Sequence, residues 1–170
     1  VAVLAEKACS DEEKSWLSNL SCDVIETEQL QQQLGYIADR FFDQPSEKLN
    51  VVAITGTNGK TSVSQLIAQA FEFLDQKTAV MGTLGNGVLE NLAPSSNTTP
   101  GAINVQALLN DFVEQSVRLL AMEASSHGLE QGRLNGTRIK TAVITNLSRD
   151  HLDYHGSMKS YQKAKERLVK

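Results

Sequence analysis

The sequence predicts an α/β fold: a mostly parallel sheet flanked by helices and carrying a phosphate-binding loop, preceded by part of a smaller α/β unit. Three observations predict it. From residue 49 onward, apolar β-branched runs alternate with segments of helical periodicity, the pattern of strands joined by crossover helices. The strand runs are continuously apolar, as expected of strands covered on both faces. A glycine-rich turn, Gly56-Thr57-Asn58-Gly59-Lys60-Thr61, also stands between one such strand and an amphipathic helix.

In chain order, "VAVLA" (1–5) reads as a short buried strand. "ETEQLQQQLGYIADRFF" (26–42) reads as a helix with Leu30, Leu34, Ala38 and Phe41 on its apolar face. "DQPSEKLN" (43–50) combines turn residues with a proline and is the candidate linker. "LNVVAIT" (49–55) is the first strand of the main sheet. In "SVSQLIAQAFEFL" (62–74), Val63, Leu66, Ile67, Ala70, Phe71 and Leu74 share one helical face. "KTAVMGT" (77–83) is the next strand and "GAINVQALLNDFVEQ" (101–115) the next helix, with Pro100 suited to its first turn. "VRLLAMEAS" (117–125) and "IKTAVITNL" (139–147) read as two further buried strands, and the last stretch, "SMKSYQKAKERLVK", as a helix. The chain reads as a piece of a longer protein: it opens directly into an apolar run and closes without a helix stop.

Composition narrows the function classes. Of 170 residues, 41% are hydrophobic and 21% charged, and the net charge is −4, as in ordinary globular proteins. There is no basic excess with which to neutralise a nucleic acid or an anionic membrane, and no apolar run approaches the roughly 20 residues that span a bilayer. Cys9 and Cys22 match no disulfide framework or metal-site spacing, and read as two reduced thiols in a cytosolic protein.

Four clusters carry chemistry, the first three at the carboxyl end of a strand, where ligands gather in such sheets. The first is the Gly56–Ser62 loop. Its glycines let the backbone approach phosphate oxygens, Lys60 would reach the terminal phosphates, and the Thr61 hydroxyl would help hold Mg²⁺. The loop departs from the common phosphate-loop pattern, because the position five before Gly59 is Ile54. The second is Glu123, an acid closing an apolar strand, where a carboxylate can serve Mg²⁺ beside bound phosphate. The third is "SRDHLDYHG", in which Asp150, His151, Asp153 and His155 fall within six residues. Taken alone that density favours a solvated surface loop; on the same sheet edge as the phosphate loop it suits a metal or phosphate site, with Arg149 a cation for phosphate. The fourth is Lys165, on an apolar stripe with Met158, Tyr161 and Leu168, whereas Lys159, Lys163 and Arg167 face solvent. Desolvation would make its amine nucleophilic and able to capture CO₂ as a carbamate; spacing alone favours a lysine snorkelling along the helix.

Taken together, "GTNGKTS", "NTTPG", "EASSHGLEQGRL" and "TNLSRDHLDYHGSMKSYQKAK" resemble the Mur ligases, closest to the branch that adds the third peptide residue. The resemblance covers residues 49 to 170, with weaker agreement before them. It implies a remnant of an N-terminal UDP-substrate-binding domain (1–48) and the first part of a central ATP-binding domain (49–170), with the C-terminal domain absent. It implies a cytoplasmic, ATP- and Mg²⁺-dependent ligase of peptidoglycan precursor synthesis, with no nucleic-acid partner and no membrane insertion. That ligase joins meso-diaminopimelate or L-lysine to UDP-MurNAc-L-Ala-D-Glu through an acyl phosphate. By the same resemblance, Gly56, Thr57, Asn58, Gly59, Lys60, Thr61 and Ser62 bind ATP, and Asn97, Thr98, Thr99, Ser125, Gln131 and Arg133 bind the muramoyl substrate. Thr61, Glu123 and His151 lie on or near Mg²⁺, and Lys60 and a carbamylated Lys165 are catalytic. The segment alone is expected to be inactive. Another Mur or folylpolyglutamate-type ligase, or a non-catalytic nucleotide-binding module, remains an alternative.

Overall fold

The computed structural model describes residues 2–7 and 10–170; the expectations for Val1 and Cys9 lie outside them. Cys22 is a free, half-buried thiol.

A two-stranded parallel sheet comes first, β1 (Ala2–Glu6) beside β2 (Asp23–Thr27), with α1 (Asp11–Ser18) between them in sequence. Ser10 and Glu13 form a reciprocal capping box at the start of α1, so two N–H groups that the helix cannot satisfy are paired. β1 is less buried than its composition suggests, because a two-stranded sheet is incompletely covered: only Ala5 is enclosed. The expected helix over 26–42 begins later, as α2 (Leu30–Phe41), because Glu26 and Thr27 pair with Ala5 and Glu6 in β2. The Glu6 carboxylate accepts from the backbone N–H groups of Gln29 and Leu30 at 2.8 and 2.6 Å, charge-assisted bonds that fix where α2 starts. α2 buries Gly35 and Ala38, and Phe41, expected inside, is 80% exposed. The segment after it is packed, with a 3₁₀ turn over Pro45–Glu47 whose Pro45 and Ser46 are buried. The Ser46 hydroxyl accepts from the Arg138 backbone N–H at 2.9 Å.

The second sheet has six strands in the order β6-β5-β4-β7-β3-β8. Four are parallel: β3 (Asn50–Thr55), β4 (Thr78–Gly82), β7 (Leu119–Glu123) and β8 (Thr141–Ile144). An antiparallel edge, β5 (Gly85–Val88) and β6 (Asn91–Ala93), completes the mostly parallel sheet. Two helices cover it. α4 (Ala102–Glu114) sets Val105, Leu109 and Phe112 against Val51, Ala53, Met81, Leu120 and Met122. Each such enclosed side chain contributes about 1.5–3 kcal/mol of burial free energy. α3 (Lys60–Glu72) lies on the other face with Ala68 against Ile54, Val80 and Ala121. Its buried positions are Ser64 and Ala68; of the expected stripe, Val63 and Ile67 are half-buried and packed on the core, and Leu66, Ala70, Phe71 and Leu74 are exposed. Small residues at the contact let the helix lie close to the sheet, which turns the larger ones outward. Pro100 stands before the Gly101 N-cap of α4, outside its first turn. β8 was expected to be buried but is an edge strand with β3 as its sole neighbour in the sheet, and Thr141, Ala142 and Ile144 are exposed. A short helix, α5 (Ser126–Glu130), lies between β7 and β8, and α6 (Leu152–His155), α7 (Met158–Glu166) and a 3₁₀ turn over Arg167–Val169 follow β8. Among the described residues no helix is long and apolar enough to cross a membrane.

Candidate functional site

The parallel strands all deliver their following loops to one edge of the sheet. β3 ends at Thr55 and β7 at Glu123, with Ile54 and Glu123 in register. The loop from Gly56 to Gly59 then turns into α3 through two positive-φ glycines, +147° at Gly56 and +85° at Gly59, values that L side chains rarely adopt. No side chain caps α3, so its first turn is open to an anion.

A clamp absent from the sequence reading holds this loop. Thr145 and Asn146, just beyond β8, donate to the Asn58 carbonyl at 2.6 and 3.0 Å, and the Asn146 side-chain oxygen accepts from the Asn58 N–H. The Thr57 hydroxyl accepts from the Ser148 N–H at 2.9 Å and lies 3.1 Å from the Tyr161 hydroxyl. A β-carbon at Gly56 would fall 1.9 Å from the Thr145 hydroxyl oxygen, which fixes glycine there. The sequence signal was a polar Thr-Asn pair following an apolar strand, legible once β8 is known to lie beside β3.

Two lysines converge on the same carbonyl. Lys60 Nζ donates to Gly56 O and Thr57 O, both at 2.9 Å, and Lys165 Nζ donates to Gly56 O at 2.8 Å. Lys165 is 4% exposed, with its ammonium 4.5 Å from the centroid of the Tyr161 ring. Burial, and then the charge of Lys60, push its pKa down to about 8, with Asp150 opposing. Burial also lowers that of Lys60, against the pull of Glu123 and Asp150. The snorkelling lysine that spacing favoured is therefore an enclosed one.

Glu123 is 1% exposed and hydrogen-bonded on both oxygens. Thr61 donates to Oε2 at 3.0 Å and the Thr83 N–H to Oε1 at 2.9 Å. This pairing offsets the cost of burying a carboxylate. Gly82 makes room for it, since a β-carbon there would sit 2.2 Å from Oε1. Thr61 and Glu123 together present hard oxygen donors at the start of α3, a set that suits Mg²⁺.

Beside Lys60 opens a cavity of about 260 Å³, lined by Lys60 and Lys165, by Asn97, Thr98 and Thr99, and by Ser125, Gln131 and Arg133, with His151 on its wall. Nine residues singled out in four separate stretches of sequence thus meet in one place. Ser126 and His127, not singled out, complete the lining. Several of the nine also hold one another. The Thr99 hydroxyl donates to Glu123 O at 2.8 Å and accepts from the Ser125 N–H at 3.0 Å. Ser125 caps α5 through Gly128 N–H, and Arg133 donates to Thr99 O and to the Gln131 side-chain oxygen.

The acidic and histidine-rich loop disperses. Asp153 is exposed, and His151, at φ +50°, is exposed with Nε2 3.6 Å from Asp150. His155 turns inward, its side chain wholly buried. Among the described residues no three His, Cys, Asp or Glu side chains are grouped so that they could hold a metal ion. Arg149 is exposed. The three histidines instead pack into a ring cluster: His127 lies 5.0 Å from His151, 5.3 Å from His155 and 4.1 Å from Tyr154. Burial, then the neighbouring imidazoles, lower the His127 pKa, with Asp153 opposing and Arg133 adding to the fall.

Comparison with known proteins follows the same lines. Residues 54–170 match the Mur ligase middle domain. The UDP-N-acetylmuramoyl-L-alanyl-D-glutamate–2,6-diaminopimelate ligase of Pseudomonas putida is 54% identical over 136 residues, 80% of this chain and 27% of that protein. The enzyme of the same name from Haemophilus influenzae is 44% identical over 167 residues, 98% of this chain and 34% of that protein. A solved structure of a ligase of this name superposes with a TM-score of 0.82 at 42% identity, covering 98% of this chain and 37% of that one. A folylpolyglutamate synthase of Mycobacterium tuberculosis shares the fold, with a TM-score of 0.67 at 17% identity over 81% of this chain and 38% of that one. The chain spans about a third of the length of the curated relatives it matches.

Proposed function

Because the chain belongs to the Mur ligase family through its middle domain, we propose that the full-length protein is an ATP-dependent ligase of peptidoglycan precursor synthesis. It joins 2,6-diaminopimelate to UDP-N-acetylmuramoyl-L-alanyl-D-glutamate, the reaction named for its relatives, and works in the cytoplasm, where such precursors are made. Residues 49–170 are the first part of its nucleotide-binding domain, and residues 1–48 belong to the unit that receives the uridine end.

The observation that carries the reading is the meeting of Lys60, Lys165 and Arg133 with the Asn97–Thr99 hydroxyl and amide groups in one cavity, beside an uncapped helix start. Three donors of positive charge in a partly enclosed site suit a ligand carrying phosphate and carboxylate groups. Gly56–Ser62 would receive the nucleotide phosphates. Lys60 is poised for this, because its two present acceptors are neutral carbonyls that an anionic phosphate oxygen outcompetes. Mg²⁺, held by the Thr61 hydroxyl and the Glu123 carboxylate with His151 near it, would supply the positive charge that lets a substrate carboxylate approach the nucleotide. Asn97, Thr98, Thr99, Ser125, Gln131 and Arg133 would orient the muramoyl peptide so that its terminal carboxylate faces Lys60. Lys165, its amine partly neutral near pH 8, would take up CO₂ through the neutral amine with loss of one proton; counted from the ammonium, two protons leave, a cation is replaced by an anion and Gly56 O is freed.

Substituting Lys60→Ala in the full-length protein is expected to lower ATP-dependent ligation by about 10²–10³-fold, as for removal of one preorganised donor, in an assay of phosphate release with the UDP-dipeptide and diaminopimelate. Unchanged turnover would remove Lys60 from the mechanism.

A further inference from the structure

We propose that Tyr154 is a positioning residue for the cavity: its hydroxyl anchors the Gln131 amide and, through it, holds the Arg133 guanidinium in the orientation that receives the muramoyl peptide. The inference rests on the substrate reading above and deepens it.

Arg133 has most of its donors committed within the protein. Nε and Nη2 donate to Gln131 Oε1 at 2.9 and 2.7 Å, and Nη1 donates to Thr99 O at 2.6 Å. The N–H groups that remain serve a ligand, and their direction is set by the two oxygens that hold the others. Thr99 O belongs to the backbone and is fixed with it. Gln131 Oε1 stands at the end of a flexible side chain and needs an anchor of its own.

A guanidinium can only donate, so the Gln131 amide must turn its oxygen to Arg133 and its nitrogen away. On that other side Nε2 donates to the Tyr154 hydroxyl oxygen at 3.1 Å. Tyr154 is suited to be the fixed point. Its ring centroid lies 4.1 Å from that of His127 and 4.9 Å from that of the buried His155, so two imidazoles brace the ring while the hydroxyl reaches Gln131. Gln131, Arg133 and His127 line the cavity. Tyr154 touches Gln131 and His127, and so acts on a ligand through them.

The segment after β8 therefore serves the site twice. His151 stands on the cavity wall, and three residues later Tyr154 steadies the group that binds the muramoyl peptide. A planar guanidinium recognises a carboxylate or phosphate through paired, directed bonds. A swing of Arg133 would then weaken that ligand and leave the nucleotide loop untouched.

The test uses the full-length protein, with phosphate release measured from ATP, the UDP-dipeptide and diaminopimelate. Tyr154→Phe keeps the ring and removes the hydroxyl. It should raise KM for the UDP-dipeptide about 3- to 10-fold, the size of one hydrogen bond, with kcat and the KM for ATP little changed. In a Gln131→Ala background the relay is already broken, and Tyr154→Phe should then cost nothing further, as a double-mutant cycle reads for residues acting in series. Thermal unfolding of each variant separates these effects from loss of fold. A normal KM for Tyr154→Phe, an equal rise in the KM for ATP, or a full additional loss in the Gln131→Ala background overturns the inference and leaves the substrate reading intact. An Arg133→Ala protein with an unchanged KM for the UDP-dipeptide overturns both.

Discussion

The Gly56 carbonyl is the acceptor on which two ammonium groups meet. Burial depresses the pKa of both, and at Lys165 the charge of Lys60 adds to the fall. For Lys165 the fall from 10.5 to about 8 has a definite consequence. Below about pH 8 both folded and unfolded chains carry the proton, and the penalty of enclosing it is present in full. Between about 8 and 10.5 the unfolded chain binds a proton that the folded chain has released, so stability rises with pH across that window. Lys165→Met in the full-length protein should flatten part of this rise, measured by urea denaturation from pH 7 to 10. A rise of unchanged slope would remove Lys165 as its source. Lys60 and Glu123 were legible as residue types in sequence, and the Asn97–Thr99 run through the family resemblance. Thr145, Asn146, Thr83 and Ser126 were not, because a hydroxyl or amide declares no function until its neighbour is known.

At the scale of elements, the sheet edge works because small residues admit large groups at chosen points. β4 ends in Gly82, where the Glu123 carboxylate of the adjacent β7 occupies the space a side chain would take. Gly82→Ala is expected to push that carboxylate off the Thr61 and Thr83 donors. It should destabilise the protein by about 1–3 kcal/mol, as for overpacking, and lower Mg²⁺-dependent turnover by more than the stability loss explains; a magnesium titration of activity beside a denaturation curve separates the two. Strand–helix alternation located every main-sheet parallel strand and both covering helices. It missed β5, β6 and β2, which are short and owe their pairing to neighbours. It also misjudged which faces are inside. The contact of α3 is made by the buried Ser64 and Ala68 with the expected Val63 and Ile67 packed beside them, while Leu66 is exposed.

At the scale of the molecule, the small sheet is joined to the large one through α2. The helix meets residues 130–136, the stretch that carries Gln131 and Arg133. Asn135 donates to the Gln32 backbone and side-chain oxygens at 2.9 and 3.2 Å, and Gly35 lies so close that a β-carbon would fall 2.0 Å from Asn135 O. Since that neighbour is backbone, Gly35→Ala must move the helix or the loop. It is expected to cost about 1–3 kcal/mol and to speed amide hydrogen exchange in α2 and residues 130–136 while β3 and β7 stay protected; uniform exchange across the sheet would show that the joint has no separate role. The sequence by itself determined the class of fold, the phosphate loop and the residue types of the site. Those follow from local periodicity and from chemistry that a few adjacent side chains declare. Only the tertiary structure decided that β8 pairs beside β3, that Thr145 and Asn146 clamp a loop some ninety residues earlier, and that His155 turns away from solvent toward Ser126. Each of these depends on strand order and close packing, which bring together residues far apart in the chain.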